Sequence, residues 1–220
     1  MLDLFKRLTG NRPKRIALAL GSGGARGLAH IPVLEAFDEL GISPSAIAGC
    51  SMGAVVGAGY AAGMPGKDIR TFAIENLRKQ GEFARRLIAM QWASLRERWR
   101  EKRSLAEFSM QMEAVGIAQE FLPPELPKTF EELRIPLAVV ATDFREHCEI
   151  VYRAGLLRPA VAGSLAIPGL LRPVEFEGRL LIDGGAVNPL PFDLLRKEAD
   201  VVVAVDITRL RETPEGIPDP

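Results

Sequence analysis

Apolar positions along this chain fall into two kinds of pattern: short unbroken runs, and longer stretches in which they recur at helical spacing. Arg15 to Leu20 reads Arg-Ile-Ala-Leu-Ala-Leu and stops at glycines, as a strand buried in a parallel sheet does. From Leu28 to Leu40, residues Ile31, Leu34, Phe37 and Leu40 keep helical spacing, and Gly41 supplies the stop signal. A second strand is predicted near Ile47, followed by a small-residue helix from Ala54 to Ala62. Strand, turn and helix thus occur twice in succession.

Between Lys67 and Leu122 the character changes to long, arginine-rich helical stretches with both tryptophans in the middle, which reads as an insertion or cap. Sheet-type sequence returns at Ile135 to Thr142, Glu149 to Tyr152, Arg179 to Ile182 and Asp200 to Val205, where the valine run predicts a strand buried on both faces. The alternation predicts an α/β fold around a mainly parallel or mixed central sheet. One domain is expected over residues 14–210, with a helical insertion at about 67–125, a lead-in at 1–13 and an irregular tail at 211–220. Ile42 to Met64 carries no charge and approaches the ~20 residues of a membrane span. Pro44 and five glycines fit a strand, tight turn and packed helix better.

Composition narrows the class. With 47% hydrophobic and 25% charged residues the chain is of ordinary globular type, and 28 basic against 28 acidic residues give no global sign of nucleic-acid binding. Cys50 and Cys148 form no disulfide framework and no zinc pattern, so a reducing compartment is expected, with no metal. Met1 to Gly10 include Asp3, Lys6 and Arg7 and build no signal-peptide core; the expectation is a cytoplasmic protein.

Three motifs carry candidate chemistry. Gly49-Cys50-Ser51-Met52-Gly53 fits Gly-x-Ser-x-Gly between a predicted strand and helix, where a sharp turn lifts the serine hydroxyl clear of the backbone. A glycine-rich helix start packed on the sheet fits the same five residues. A nucleophilic serine needs a base. His30 and His147 are the histidines, and neither lies near the C-terminus, where a Ser, acid, His order would place one. Asp183, ending the apolar run before Gly184 and Gly185, sits where α/β sheets place their chemistry; an ordinary Asp-Gly-Gly turn is the plain alternative. The loop from Gly21 to Gly27 runs into a helix and offers backbone amides to an oxyanion. Read instead as a dinucleotide fingerprint with Asp38 or Glu39 as the ribose acid, it puts Arg26 where the third glycine belongs.

Together these motifs resemble the patatin-like phospholipase family, with its Gly-Gly-x-Arg-Gly loop, its Gly-x-Ser-x-Gly pentapeptide and its Asp-Gly-Gly or Asp-Gly-Ala motif. Ala141-Thr142-Asp143, Ala162-Gly163-Ser164 with Ile167-Pro168-Gly169, and Val187-Asn188-Pro189-Leu190-Pro191 agree as well, so the resemblance runs from about Lys14 to Asp206. Ser22 departs from it, replacing a glycine of the strict loop, while Gly23, Gly24, Arg26 and Gly27 match. The resemblance implies a three-layer α/β/α fold and a lipid acyl hydrolase with a Ser51–Asp183 dyad, no histidine, no metal and no cofactor. Amides around Gly23, Gly24 and Ala25 would form the oxyanion hole, with Arg26, Gly27, Gly49, Gly53, Gly184 and Gly185 in support. A catalytically silent lipid- or partner-binding regulator, or a nucleotide-binding regulator, would use the same fold.

From Arg78 to Arg103 nine basic and three acidic residues flank an apolar stripe of Ile88, Trp92, Leu95 and Trp99. Such a helix suits peripheral contact with an anionic lipid surface, here the inner face of the membrane; a cap helix with a solvated basic face is the other reading.

Overall fold

The computed structural model describes residues 14–76, 112–113, 122–124 and 126–208. The lead-in, the tail, the basic stretch 78–103 and most of the expected insertion lie outside them, and so does the expected membrane contact. Residues 66–76, where the insertion was expected to begin, are helical.

The strands are β1 (Ile16–Leu20), β2 (Ile47–Cys50), β3 (Met112–Glu113), β4 (Leu137–Asp143), β5 (Cys148–Tyr152), β6 (Leu171–Arg172), β7 (Val174–Phe176), β8 (Arg179–Asp183) and β9 (Val201–Val205). The α-helices with both ends described are α1 (His30–Glu39), α2 (Met52–Ala61) and α3 (Leu157–Leu165). Among the described residues the central sheet has seven strands in the order β7-β8-β4-β2-β1-β9, with β5 on β4, and β3 pairs separately with β6. The β9, β1, β2 and β4 strands are parallel, while β5, β7 and β8 join antiparallel, so the fold is α/β with a mixed sheet.

The expected elements form with small shifts of boundary. The uncharged stretch from Ile42 to Met64 is divided into β2, a turn and the ten-residue α2, and among the described residues no helix is long and apolar enough to cross a membrane. The valine run behaves differently from its prediction. In β9 it forms the last strand of the sheet, bonded to β1 alone among the described strands, and Val201 is 39% exposed. Valine repeats mark a pleated, half-covered surface as readily as a doubly buried one.

Side chains divide cleanly between the two faces of the parallel strands. Leu18, Leu20, Ile47, Leu137 and Val139 point to one face and pack with Leu34, Val56, Leu157 and Val161 of the helices. Ala17, Ala19, Ala48 and Ala138 point to the other, where Leu195 of the 3₁₀ turn Asp193–Leu195 lies against them. Alternate residues of a strand face opposite ways, so large-small alternation sets a thick helical layer on one side and a close-fitting turn on the other.

One feature of register governs the site. Along a single edge of β4, β2 pairs in parallel from Leu137 to Val140 and β8 pairs antiparallel from Asp143 back to Ala141; β5 covers the opposite edge. The two strands therefore run toward each other, and their C-terminal ends meet where Cys50 faces Val140 and Asp183 faces Ala141.

Candidate active site

Ser51 follows β2 directly and caps α2 with φ 54° and ψ −122°, a conformation costing a non-glycine residue about 1–3 kcal/mol. The surroundings impose it. A Cβ at Gly49 would lie 2.6 Å from the Gly53 carbonyl oxygen, and one at Gly53 would lie 2.2 Å from the Leu20 carbonyl oxygen, so bare backbone is required on both sides of the serine. The buried Ser164 hydroxyl at the end of α3 accepts the Ser51 N–H at 2.8 Å. Beside it, a Cβ at Gly163 would strike Leu181, so the Ala-Gly-Ser segment lets α3 approach β8 and brings this acceptor to the turn.

The meeting of β2 and β8 places the Ser51 hydroxyl against the Asp183 carboxylate, donating to Oδ2 at 2.6 Å. The other carboxylate oxygen accepts the Gly185 N–H at 2.7 Å, and the Thr142 hydroxyl donates to the Asp183 carbonyl at 2.9 Å. A Cβ at Gly184 would lie 2.3 Å from the Val140 carbonyl oxygen, which explains a glycine directly after the aspartate. Ser51 and Asp183 are 2% and 8% exposed. Burial raises the Asp183 pKa above its ordinary 3.8, against the opposing hydrogen bonds from Ser51 and Gly185. The pair is a hydroxyl aimed at a partly desolvated carboxylate, an arrangement that can move the serine proton as the oxygen attacks.

The glycine loop lies alongside. Gly21 donates to the Val205 carbonyl at 3.1 Å and Ser22 to the Pro189 carbonyl at 2.8 Å, so the Val187–Pro191 segment anchors the loop. Gly23 precedes a 3₁₀ turn, Gly24–Ala29, whose first hydrogen bond runs from the Arg26 N–H to the Gly23 carbonyl at 3.2 Å. The amides of Gly24 and Ala25 stand ahead of that ladder, as the first amides of any helical turn do. Gly24 has φ 55° and open space where a Cβ would be, whereas a Cβ at Gly27 would lie 2.0 Å from Met52 Cγ. Arg26 is exposed.

The remaining candidates are placed elsewhere. His30 is fully buried, with Nε2 2.8 Å from the Gly21 carbonyl; a carbonyl only accepts, so this nitrogen carries the proton. Burial lowers the His30 pKa and outweighs the opposing Gly21 bond, so the ring ties the glycine loop to α1 as a neutral donor. His147 sits in the β4–β5 turn at φ 56°, stacked on Phe144. Asp38 accepts from Tyr60 Oη at 2.7 Å and from the Gly66 N–H at 2.6 Å, occupying both carboxylate oxygens at the far ends of α1 and α2. Cys50 and Cys148 are free; burial, then the charges of Asp183 and Glu149, push the Cys50 thiol pKa upward and keep it protonated. Among the described residues no cluster of three His, Cys, Asp or Glu side chains could hold a metal ion.

Sequence reasoning named Ser164 and Thr142 within matching segments and assigned them no role. Nothing local signals that a serine ending one helix will serve a residue 113 positions earlier. Replacing it, Ser164→Ala, leaves the buried Ser51 amide unpaired at a strained φ. We expect a stability loss of about 1–3 kcal/mol together with a fall in kcat, measured by thermal unfolding and by ester turnover.

With this geometry in view, comparisons place the chain among known proteins. The sequence profile described as patatin-like phospholipase matches residues 18–196, and the chain belongs to that family. An uncharacterised NTE-family protein of Mycobacterium tuberculosis is 39% identical over 209 residues, covering 91% of this chain and 51% of its own. The lysophospholipase NTE1 of Cryptococcus neoformans is 32% identical, covering 96% of this chain and 12% of its own. Human patatin-like phospholipase domain-containing protein 6 is 31% identical, at 96% and 14%. The chain thus spans about half the length of the mycobacterial relative and a smaller share of the other two. Among solved structures, VipD of Legionella pneumophila is similar over 78% of this chain and 46% of its own, at 18% identity and a TM-score of 0.46.

Proposed function

We propose that the protein is a serine acyl hydrolase that cleaves acyl esters of lipids through Ser51 and Asp183. The observation that carries this reading is the 2.6 Å hydrogen bond from a strained, buried serine to a buried carboxylate, in a chain of the patatin-like phospholipase family. Ser51 Oγ attacks the ester carbonyl carbon while Asp183 Oδ2 takes its proton. The amides of Gly23, Gly24 and Ala25 hold the oxyanion. Collapse of the tetrahedral intermediate expels the alcohol, which recovers the proton from Asp183 and leaves an acyl-serine. Water then adds to the acyl carbon, giving its proton to Asp183, and the acid departs as Ser51 is reprotonated. Arg26 and Gly27 shape the loop, with Gly27 making room for Met52.

A fluorophosphonate probe is expected to label one serine, and p-nitrophenyl butyrate to give a burst of p-nitrophenolate as the serine is acylated, both lost in Ser51→Ala. Labelling that persists in that variant overturns the assignment. The silent-regulator alternative is favoured by an unlabelled wild-type protein that still binds lipid.

A further inference from the structure

An apolar cavity of about 180 Å³ lies beside the site, bounded by α1, α2, the helical residues 66–76 and Pro123. Its wall on α2 is formed by Met52, Val55, Val56 and Gly59, at positions i, i+3, i+4 and i+7, which is one face of the helix. This stripe begins at the residue after Ser51 and runs about 10 Å along the helix, and Ala25 of the glycine loop lines the same cavity. The described lining contains no charged residue, and Asn76 is its one polar side chain, so a phosphate or ammonium headgroup has no partner here. Cavities of comparable volume hold a ring of roughly six carbons, so the space suits a segment of one hydrocarbon chain and is too small for two.

We propose that this cavity is the acyl-chain site and that Gly59 sets its depth, making the protein selective for esters in which a single acyl chain of roughly six to eight carbons is seated along α2. The inference rests on the Ser51–Asp183 reading for its orientation, with the carbonyl at Ser51 and the chain pointing toward Gly59. Gly59 is the position at which a side chain would enter the cavity without disturbing the sheet: its Cβ would meet Ile69 Cδ1 and Met64 Sδ at 3.6 and 3.7 Å, ordinary contact distances. An alanine there is expected to fold, and a larger residue to shorten the cavity.

The test is the chain-length profile of kcat/KM on p-nitrophenyl esters from acetate to laurate for wild type, Gly59→Ala and Gly59→Val. Each buried methylene is worth about fourfold, so wild type should climb steeply from butyrate to octanoate. The octanoate-to-butyrate ratio should fall by about fourfold in Gly59→Ala and on the order of 10-fold to 60-fold in Gly59→Val. Unchanged ratios in both variants, or equal losses on both esters, overturn the proposal. Calorimetric binding of decanoate to Ser51→Ala reads the cavity without the dyad. Binding weakened by added Gly59→Val supports it even if wild type cleaves no ester, and binding indifferent to that change overturns it.

Discussion

Asp183→Asn should reduce ester hydrolysis by about 10³–10⁴-fold while making the folded protein more stable at neutral pH. The loss follows from hydrogen-bond polarity. The asparagine carbonyl still accepts the Gly185 N–H, and its amide now donates to Ser51 Oγ, so the serine keeps a partner but loses its proton acceptor. The gain follows from burial, which raises the folded pKa of Asp183 above the ordinary 3.8. A group with a raised folded pKa contributes its stability when protonated, below the unfolded pKa, and loses it as pH rises through the folded value. At neutral pH the carboxylate is therefore a net cost that asparagine removes, and the difference in Tm between variant and wild type should close as pH falls toward 3.8. Wild-type kcat/KM should decline over the same rise in protonation, with its acidic limb displaced upward from the ordinary 3.8. Ser51→Ala should cost about 10⁴-fold or more, and the double variant hardly more than Ser51→Ala alone, as expected of two groups acting as a unit. A double variant with the product of the two losses, or Asp183→Asn less stable than wild type at neutral pH, contradicts this account.

Gly53→Ala should be the most damaging small substitution in α2. The new Cβ would lie 2.2 Å from the Leu20 carbonyl oxygen and 2.7 Å from that of Gly21, both backbone atoms at the end of β1. Backbone cannot rotate aside as a side chain can, so α2 and β1 must separate, at a cost of about 3 kcal/mol or more. For a domain of this size that is a fall of about 6–12 °C in Tm. The same replacement six residues on, Gly59→Ala, meets nothing closer than 3.6 Å and should gain up to about 1 kcal/mol from helix propensity. Thermal unfolding of the pair separates the two cases. Similar Tm values would mean that Gly53 is not held against β1.

The contrast between these glycines shows where sequence reasoning stopped. In the segment from Ile42 to Met64, the strand, the turn and the helix were legible because a short apolar run, a Gly-x-Ser-x-Gly pentapeptide and a small-residue stretch are local patterns. Gly53 was legible as a flanking glycine of the pentapeptide; what each glycine faces was not, since Gly53 is constrained by β1 and Gly59 opens onto a cavity. The valine run at Val201–Val205 was legible as a strand; its place beside β1 at the end of the described sheet order depends on pairing across most of the chain.

By itself the sequence determined the α/β alternation, the backbone freedom around Ser51 and the order of the three motifs, all properties of a few neighbouring residues. The tertiary structure alone decided that Ser51 and Asp183 meet, because their contact spans 132 positions and arises from β2 and β8 converging on one edge of β4. It also decided that Ser164 holds the Ser51 amide, that His30 serves the glycine loop through Gly21, and that a hydrocarbon-lined space opens along α2. Each of these depends on long-range register and packing, which no local pattern encodes.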